Sequence, residues 1–111
     1  MDLHIVTSAH DGATLLTLTG EIDLHSAPVL RDRLSDVFAD GARTVVVDLT
    51  GVEFLDSSAL GALVSAAREL TDAGGALRLA CPPPHVQKVF RITRLADVIP
   101  VFDDVPTAAR G

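Results

Sequence analysis

The sequence predicts an α/β fold in which a mixed sheet of about five strands carries about four helices. An Asp11-Gly12 turn between two apolar stretches predicts an N-terminal hairpin. Short β-branched runs then alternate with segments of helical periodicity. The chain has 111 residues, of which 48% are hydrophobic, and it lacks linkers and low-complexity stretches. We therefore expect a single domain over 1–111 with an aliphatic core.

The hairpin is predicted to pair strands at 3–7 and 13–19, because Asp-Gly suits the positive φ angles of a tight turn. Side chains of one parity on a strand point to one face of the sheet. Four aliphatic residues of one parity are therefore expected to face the core: Leu16, Leu18, Ile22 and Leu24.

The first helix is predicted between Ser26 and Gly41. Ser26 is a preferred N-cap residue, Pro28 suits a first turn, and glycine suits the end of a helix. Apolar residues at helical spacing form its predicted buried face: Leu30, Leu34, Val37 and Phe38.

A central strand is predicted at 44–49, since its β-branched run suits a strand that is covered on both faces. Gly51 is expected to turn the chain. The second helix is predicted to begin near Asp56 to Ser58 and to stop at Gly74-Gly75. Its inner stripe comprises Leu60, Leu63, Val64, Ala67 and Leu70.

A fourth strand is predicted at 76–80. The prolines at 82–84 end this strand and can open a helix near His85. The apolar face of that helix comprises Val86, Val89 and Phe90. A last strand is predicted at 98–102, with Pro100 tolerated only on an edge or at a bulge.

The chain is predicted to end in a short helix that extends through Ala109. Asp103 or Asp104 precedes that helix, and either aspartate can cap it.

Charge and cysteine content exclude several classes of protein. The net charge is −6 with a single lysine, which argues against nucleic acid and anionic membranes and favours a partner with a basic surface. Cys81 is the only cysteine, so no internal disulfide can form and a reducing cytoplasm is predicted. The N-terminus lacks the pattern of a signal peptide, and no apolar run has the length of a membrane span.

The sequence does not predict an enzyme, a metal site or a bound cofactor. No histidine stands at metal-ligand spacing from another histidine or the cysteine, and all four are expected at solvated positions: His4, His10, His25 and His85. Glycine-rich phosphate loops and a Gly-x-Ser-x-Gly elbow are absent from the sequence. Four acids lie near predicted strand ends or in loops, the edge at which α/β sheets bind ligands: Asp23, Asp48, Glu53 and Asp56. Asp48 and Glu53 are interpreted as helix caps or solvated loop residues, and spacing alone does not show acids converging on a metal.

The segment Asp56-Ser57-Ser58 follows a buried strand and opens a helix, which leaves two interpretations. Aspartate and serine are preferred N-caps, so the segment can be structural only. Alternatively, one of the two hydroxyls is a modification site. A phosphate there is expected to meet free backbone N–H groups and the positive helix end, and so to act on a partner rather than on folding.

Two motifs carry a family resemblance. The run Leu18-Thr19-Gly20-Glu21-Ile22-Asp23 resembles the LTGELD segment of anti-anti-sigma factors, the STAS-domain antagonists of bacterial anti-sigma kinases. The run Asp56-Ser57-Ser58-Ala59-Leu60-Gly61 resembles the DSSGLG segment of the same family. Further similarity at 73–75, 86–90 and Leu95 extends the resemblance over nearly the whole chain.

The resemblance implies a single STAS-like domain that is switched by phosphorylation. Members of the family bind an anti-sigma factor that is also an ATP-dependent serine kinase, and this binding releases a sigma factor. The kinase then phosphorylates the first serine of the motif, Ser57 here, and a metal-dependent serine phosphatase resets the protein. The implied partner surface comprises Glu21, Asp23, His25, Ser26, Asp56, Ser58, Ala59 and Leu60. Ala59 replaces the usual glycine, which the fold should tolerate better than a close partner contact would.

Three alternatives remain. A STAS scaffold or transporter-complex subunit would lack the phosphorylation cycle. A response-regulator receiver would use Asp48 as phosphoacceptor, but the acidic pair after the first strand is absent, and Lys88 lies in a predicted helix. A hydrolase or nucleotide-binding enzyme is the third alternative, but this sequence lacks a nucleophile–histidine–acid pattern.

Overall fold

The computed structural model describes residues 2–111, so Met1 of the predicted domain lies outside the described residues. Five strands, four α-helices and one short 3₁₀ turn follow the predicted order. Their bounds are β1 Leu3–His10, β2 Ala13–Ile22, α1 Ala27–Ala39, β3 Thr44–Leu55, α2 Ser57–Asp72, β4 Ala76–Ala80, α3 Pro84–Thr93, the 3₁₀ turn Leu95–Asp97, β5 Val101–Phe102 and α4 Val105–Arg110.

The strands form one sheet in the order β1-β2-β3-β4-β5. β1 and β2 pair antiparallel, and the other neighbouring strands pair parallel, which confirms the predicted mixed sheet. Asp11 and Gly12 join the hairpin with φ angles of 50° and 82°. Both angles lie in the left-handed region that a two-residue hairpin turn requires, so the predicted turn is confirmed.

The central strand β3 is covered on both faces, as predicted. Val45, Val46 and Val47 are all fully buried. Because side chains alternate along a strand, Val45 and Val47 join the main core with helices α1, α2 and α3, whereas Val46 joins a smaller cluster with α4. Two layers of helix therefore enclose the sheet, and α4 forms the second layer.

The predicted helix faces are confirmed in the main. Buried residues of the first three helices include Leu30, Leu34, Val37, Leu63, Ala67, Leu70, Val86 and Phe90. Four other predicted members are only partly buried and pack against this core: Phe38, Leu60, Val64 and Val89. Asp104, rather than Asp103, caps α4, because its carboxylate accepts a 2.8 Å hydrogen bond from the Thr107 N–H.

The expected core position of Leu24 is wrong. β2 ends at Ile22, and the parity of a strand no longer applies to the turn that follows. Leu16, Leu18 and Ile22 are fully buried, whereas the Leu24 side chain is 70% exposed.

The expected turn at Gly51 is also wrong, since β3 runs straight through it to Leu55. A Cβ atom at position 51 would lie 3.0 Å from the Leu18 carbonyl oxygen. Glycine therefore permits a close approach of β2 and β3 at an irregularity in their register.

The last strand is shorter than the predicted 98–102. Leu95–Asp97 forms a 3₁₀ turn, and only Val101–Phe102 pairs with β4. Pro100 precedes the strand, so its missing N–H interrupts no ladder hydrogen bond, and its carbonyl oxygen accepts from the Leu79 N–H at 3.0 Å.

Candidate functional site

The carboxyl ends of β2 and β3 bring the two sequence motifs together. These strands are parallel, and their pairing continues to the last residue of each, where Ile22 lies opposite Leu55. The Asp56 N–H then donates a 3.1 Å hydrogen bond to the Ile22 carbonyl oxygen. The turn after β2 and the start of helix α2 are therefore neighbours at one edge of the sheet.

Asp56 is the N-cap of helix α2, as predicted. Its backbone is extended, with a φ angle of −116°, and its Oδ1 atom accepts from the Ser58 N–H at 2.8 Å and the Ala59 N–H at 3.4 Å. The carboxylate thus satisfies two of the amides that a helix start leaves without partners.

Replacing Asp56 with alanine is expected to lower the free energy of unfolding by about 1 kcal/mol, because the Ser58 N–H loses its acceptor. The Ala59 N–H keeps the Asp56 carbonyl oxygen as an acceptor at 3.1 Å. Asp56→Asn keeps a side-chain oxygen and should retain most of that stability. Urea denaturation followed by circular dichroism measures both changes. Equal losses for the two variants would contradict a hydrogen-bonding role for the side chain.

The two adjacent serines differ in exposure. Ser57 is the first residue of α2 and is exposed, whereas Ser58 and Leu60 are half-buried. Ala59 is fully buried in the main core. Its methyl group therefore packs inside the domain, and its side chain does not reach the surface where a partner would bind.

The expectation that a phosphate on Ser57 would meet free helix amides needs correction. The Ser58 and Ala59 N–H groups already donate to the Asp56 carboxylate. A phosphate at this helix start would share these donors with an existing anion, so charge repulsion offsets the attraction of the helix end. The helix start is thus not an empty anion site.

Residues 23–26 form a turn closed by its own side chains. Asp23 Oδ1 accepts from the His25 N–H and the Ser26 N–H, both at 2.9 Å. Ser26 Oγ accepts from the Asp23 N–H at 2.9 Å and donates to the Glu21 carbonyl oxygen at 2.7 Å. Ser26 precedes α1 as predicted, but its hydroxyl makes no cap hydrogen bond because this turn uses it.

The hydrogen bond from the Ser26 N–H, with help from the other donors of the turn, lowers the pKa of Asp23 below its ordinary 3.8. A lowered pKa means that the ionised form favours the folded turn. Its contribution is complete above pH 3.8 and is lost as the pH falls through the lowered value. At neutral pH Asp23 is a carboxylate committed to holding the turn, and Ser26 is buried beneath it.

The edge that carries Ser57 is acidic. Glu21 lies opposite Phe54 across the two strands, Glu53 is exposed, and Asp23 and Asp56 follow the strand ends. His25 is exposed beside them. Carboxylates gathered at one edge of the sheet favour a partner with cations.

The other candidate groups do not assemble into a second site. Asp48 lies inside β3 rather than at its end, and its Oδ1 atom accepts from the Thr50 hydroxyl at 2.7 Å, which does not suit a receiver phosphoacceptor. Burial raises the pKa of the Cys81 thiol, which keeps it protonated. Within 2–111, histidine, cysteine and acidic residues form no group of three suited to a metal ion.

The predicted solvated histidines take varied positions. His4 and His25 are exposed, and His10 lies 3.6 Å from the Asp11 carboxylate. His85 is the second residue of helix α3, where its Nε2 atom lies 3.1 Å from the Val52 carbonyl oxygen. None of the helices in the described part of the chain has the length and apolar character needed to cross a bilayer.

Comparisons with known proteins agree with this architecture. A protein named anti-sigma-B factor antagonist from Bacillus subtilis strain 168 is 31% identical over 101 residues, covering 91% of this chain and 92% of that protein. An anti-sigma factor antagonist from Mycobacterium paratuberculosis has a TM-score of 0.90 at 26% identity, over 99% of this chain and 96% of that structure.

A third match is the phosphorylated form of SpoIIAA, a Bacillus cell fate determinant, with a TM-score of 0.73 at 25% identity over 96% of each chain. The family model described as the STAS domain matches residues 4–108. With nearly the whole chain inside that match, the protein belongs to the STAS domain family.

Proposed function

We propose that this protein is an anti-sigma factor antagonist. In its unmodified form it binds a cognate anti-sigma factor that is also a serine kinase, and so releases a sigma factor for transcription. Phosphorylation of Ser57 ends the binding, and a metal-dependent serine phosphatase restores it. ATP and sigma factors act in the bacterial cytoplasm, so the proposal places the protein there.

One observation supports the switch above all others. Ser57 is exposed at the first position of α2, directly after the Asp56 cap, whose N–H bonds to the last residue of β2. One relative named above as an antagonist is similar in sequence and another in structure, and SpoIIAA has been solved in a phosphorylated form. A helix start whose cap stays bonded can carry a new charge on its surface without disturbing the core.

In the proposed transfer, Ser57 Oγ attacks the γ-phosphorus of ATP bound to the kinase. The new O–P bond forms as the bond to ADP breaks, and the hydroxyl proton passes to a base. Asp56 already accepts two backbone hydrogen bonds, so we assign the base to the kinase rather than to this chain.

The acidic edge supports a partner with a basic surface. Phosphorylation adds a charge of about −1.5 to −2 and three oxygens. That group enlarges the side chain at the centre of the proposed contact and sets a new anion beside Asp56. We propose that the bulk of the phosphate separates the two surfaces, and that this steric effect outweighs the attraction of the added charge for the partner's cations.

The proposal is tested by incubating the protein with ATP and each anti-sigma kinase encoded in its genome. Mass spectrometry is expected to show the gain of one phosphate, lost in Ser57→Ala and retained in Ser58→Ala. The Ser58 variant is a matched control, since its hydroxyl is adjacent but half-buried. No gain with any kinase would favour a STAS scaffold without a phosphorylation cycle.

A further inference from the structure

The turn after β2 holds one large apolar side chain out into solvent. Leu24 is 70% exposed, between Asp23 and His25. The Asp23 carboxylate and the Ser26 hydroxyl brace this turn with hydrogen bonds of 2.7–3.1 Å. The Ala27 N–H also donates to the Asp23 carbonyl oxygen at 2.8 Å. The backbone under Leu24 is therefore pre-organised, which lowers the entropy lost when a partner covers it.

Several exposed apolar residues lie near this turn or near Ser57 along the chain. Six large hydrophobic residues of 2–111 are substantially exposed: Val6, Leu24, Val29, Phe54, Ile92 and Val98. Half of them lie within six residues of Ser57 or of Asp23 along the chain. Val29 is 49% exposed in the first turn of α1, and Phe54 is 48% exposed on β3 just before Asp56. Single exposed apolar residues need no explanation, but Leu24 and Phe54 lie at the paired ends of β2 and β3, the edge of the sheet at which α2 begins.

We infer that Leu24 is the apolar anchor of the proposed interface, and that it enters an apolar pocket of the anti-sigma factor whose rim carries cations. This inference rests on the proposed function. The cationic rim follows from the acids at this edge of the sheet: Glu21 and Asp23 lie at the end of β2 just before Leu24, and the Asp56 N–H is bonded to the Ile22 carbonyl oxygen. Val29 and Phe54 lie at the margins of the contact.

Neighbouring residues at this edge have separate roles. Asp23 and Ser26 are positioning residues, because their polar atoms face each other within the turn. Leu24 supplies affinity that is the same in both phosphorylation states, since burial of an aliphatic side chain does not depend on charge. Ser57 supplies the difference between the states. Leu24 thus contributes affinity for the anti-sigma factor, and Ser57 sets when it is bound.

The test measures the Kd of the unphosphorylated protein for the anti-sigma kinase that modifies Ser57. Leu24→Ala is expected to weaken binding by about 10- to 100-fold, the range for losing a buried leucine side chain. Leu24→Met, which conserves volume, should stay within about fivefold of the wild type. Both variants should keep the thermal midpoint, because the side chain is exposed in the free protein.

Ile92→Ala is the matched control. Ile92 is 72% exposed, as Leu24 is at 70%, but it lies on α3 among Lys88 and Arg91 instead of the acidic edge. Its Kd is expected to remain within about twofold of the wild type. An equal loss of affinity in Ile92→Ala, or no loss in Leu24→Ala, would contradict the assignment of Leu24 as the anchor.

The two proposals fail in distinguishable ways. If Leu24→Ala binds like the wild type while phosphorylation of Ser57 still abolishes binding, the anchor is wrong and the switch stands. If no anti-sigma kinase of the genome binds the unmodified wild-type protein, both are wrong.

Discussion

Ser57→Ala is expected to stay bound to its anti-sigma kinase in the presence of ATP, whereas the wild-type protein is phosphorylated and released. Alanine removes the only atom that accepts the phosphate and leaves the Asp56 cap in place, since Asp56 bonds to the Ser58 and Ala59 amides. The expected outcome in a transcription assay is constitutive activity of the sigma factor.

The switch requires phosphorylation to weaken partner binding strongly. To move the partner from 99:1 bound to 1:99 bound, phosphorylation must weaken binding by about 5.5 kcal/mol. Calorimetry on the unmodified and phosphorylated proteins measures this difference directly. Equal affinities of the two forms would remove the switch, whatever the kinase assay shows.

Two further variants test the effect of negative charge at position 57 and the identity of the modified serine. Ser57→Asp is expected to bind poorly, although a carboxylate carries less charge and fewer oxygens than a phosphate. Ser58→Ala should bind and be released like the wild type. Release of Ser57→Ala on addition of ATP would show that a different residue accepts the phosphate.

Gly75→Ala is expected to destabilise the domain by about 3 kcal/mol, the upper end of the cost of overpacking. The Gly75 N–H donates to the Leu70 carbonyl oxygen at 2.7 Å, and the next residue begins β4 beside Arg43. A Cβ at this position would overlap the Arg43 carbonyl oxygen. Because this neighbour is backbone, it cannot rotate away, and the start of the β3–β4 pairing must shift.

Gly61→Ala is the matched control for that variant. Gly61 is exposed in the interior of α2, with no atom within 4 Å of an added Cβ. The change should raise the free energy of unfolding by about 0.5–1 kcal/mol, since glycine is a poor helix former. Denaturant midpoints compare the two. A mild effect of Gly75→Ala would mean that the chain relaxes there at little cost.

The order and type of the elements could be predicted because they rest on local pattern. The Asp11-Gly12 turn, the β-branched run at 44–49 and the Asp56 cap each depend on interactions among residues close in sequence. The family resemblance of the two motifs also lies in the sequence, and the match over 4–108 confirms the family.

The errors fall where distant segments meet. Gly51 has the composition of a turn, but pairing with β2 carries β3 past it to Leu55. The role of Gly75 depends on the Arg43 backbone, which is far away in sequence. The hydroxyl of Ser26 looks like a helix cap, yet the Asp23 turn and the Glu21 carbonyl oxygen use it instead.

The sequence by itself determined the α/β order, the family and the choice of Asp56-Ser57-Ser58 as the segment of interest. Only the tertiary structure decided that Ser57 is exposed, that Ala59 is buried and that Leu24 projects from the acidic edge. The physical reason is that exposure is set by what other segments cover. Strand pairing brings the 23–26 turn beside the start of α2, and no local pattern in either motif contains that contact.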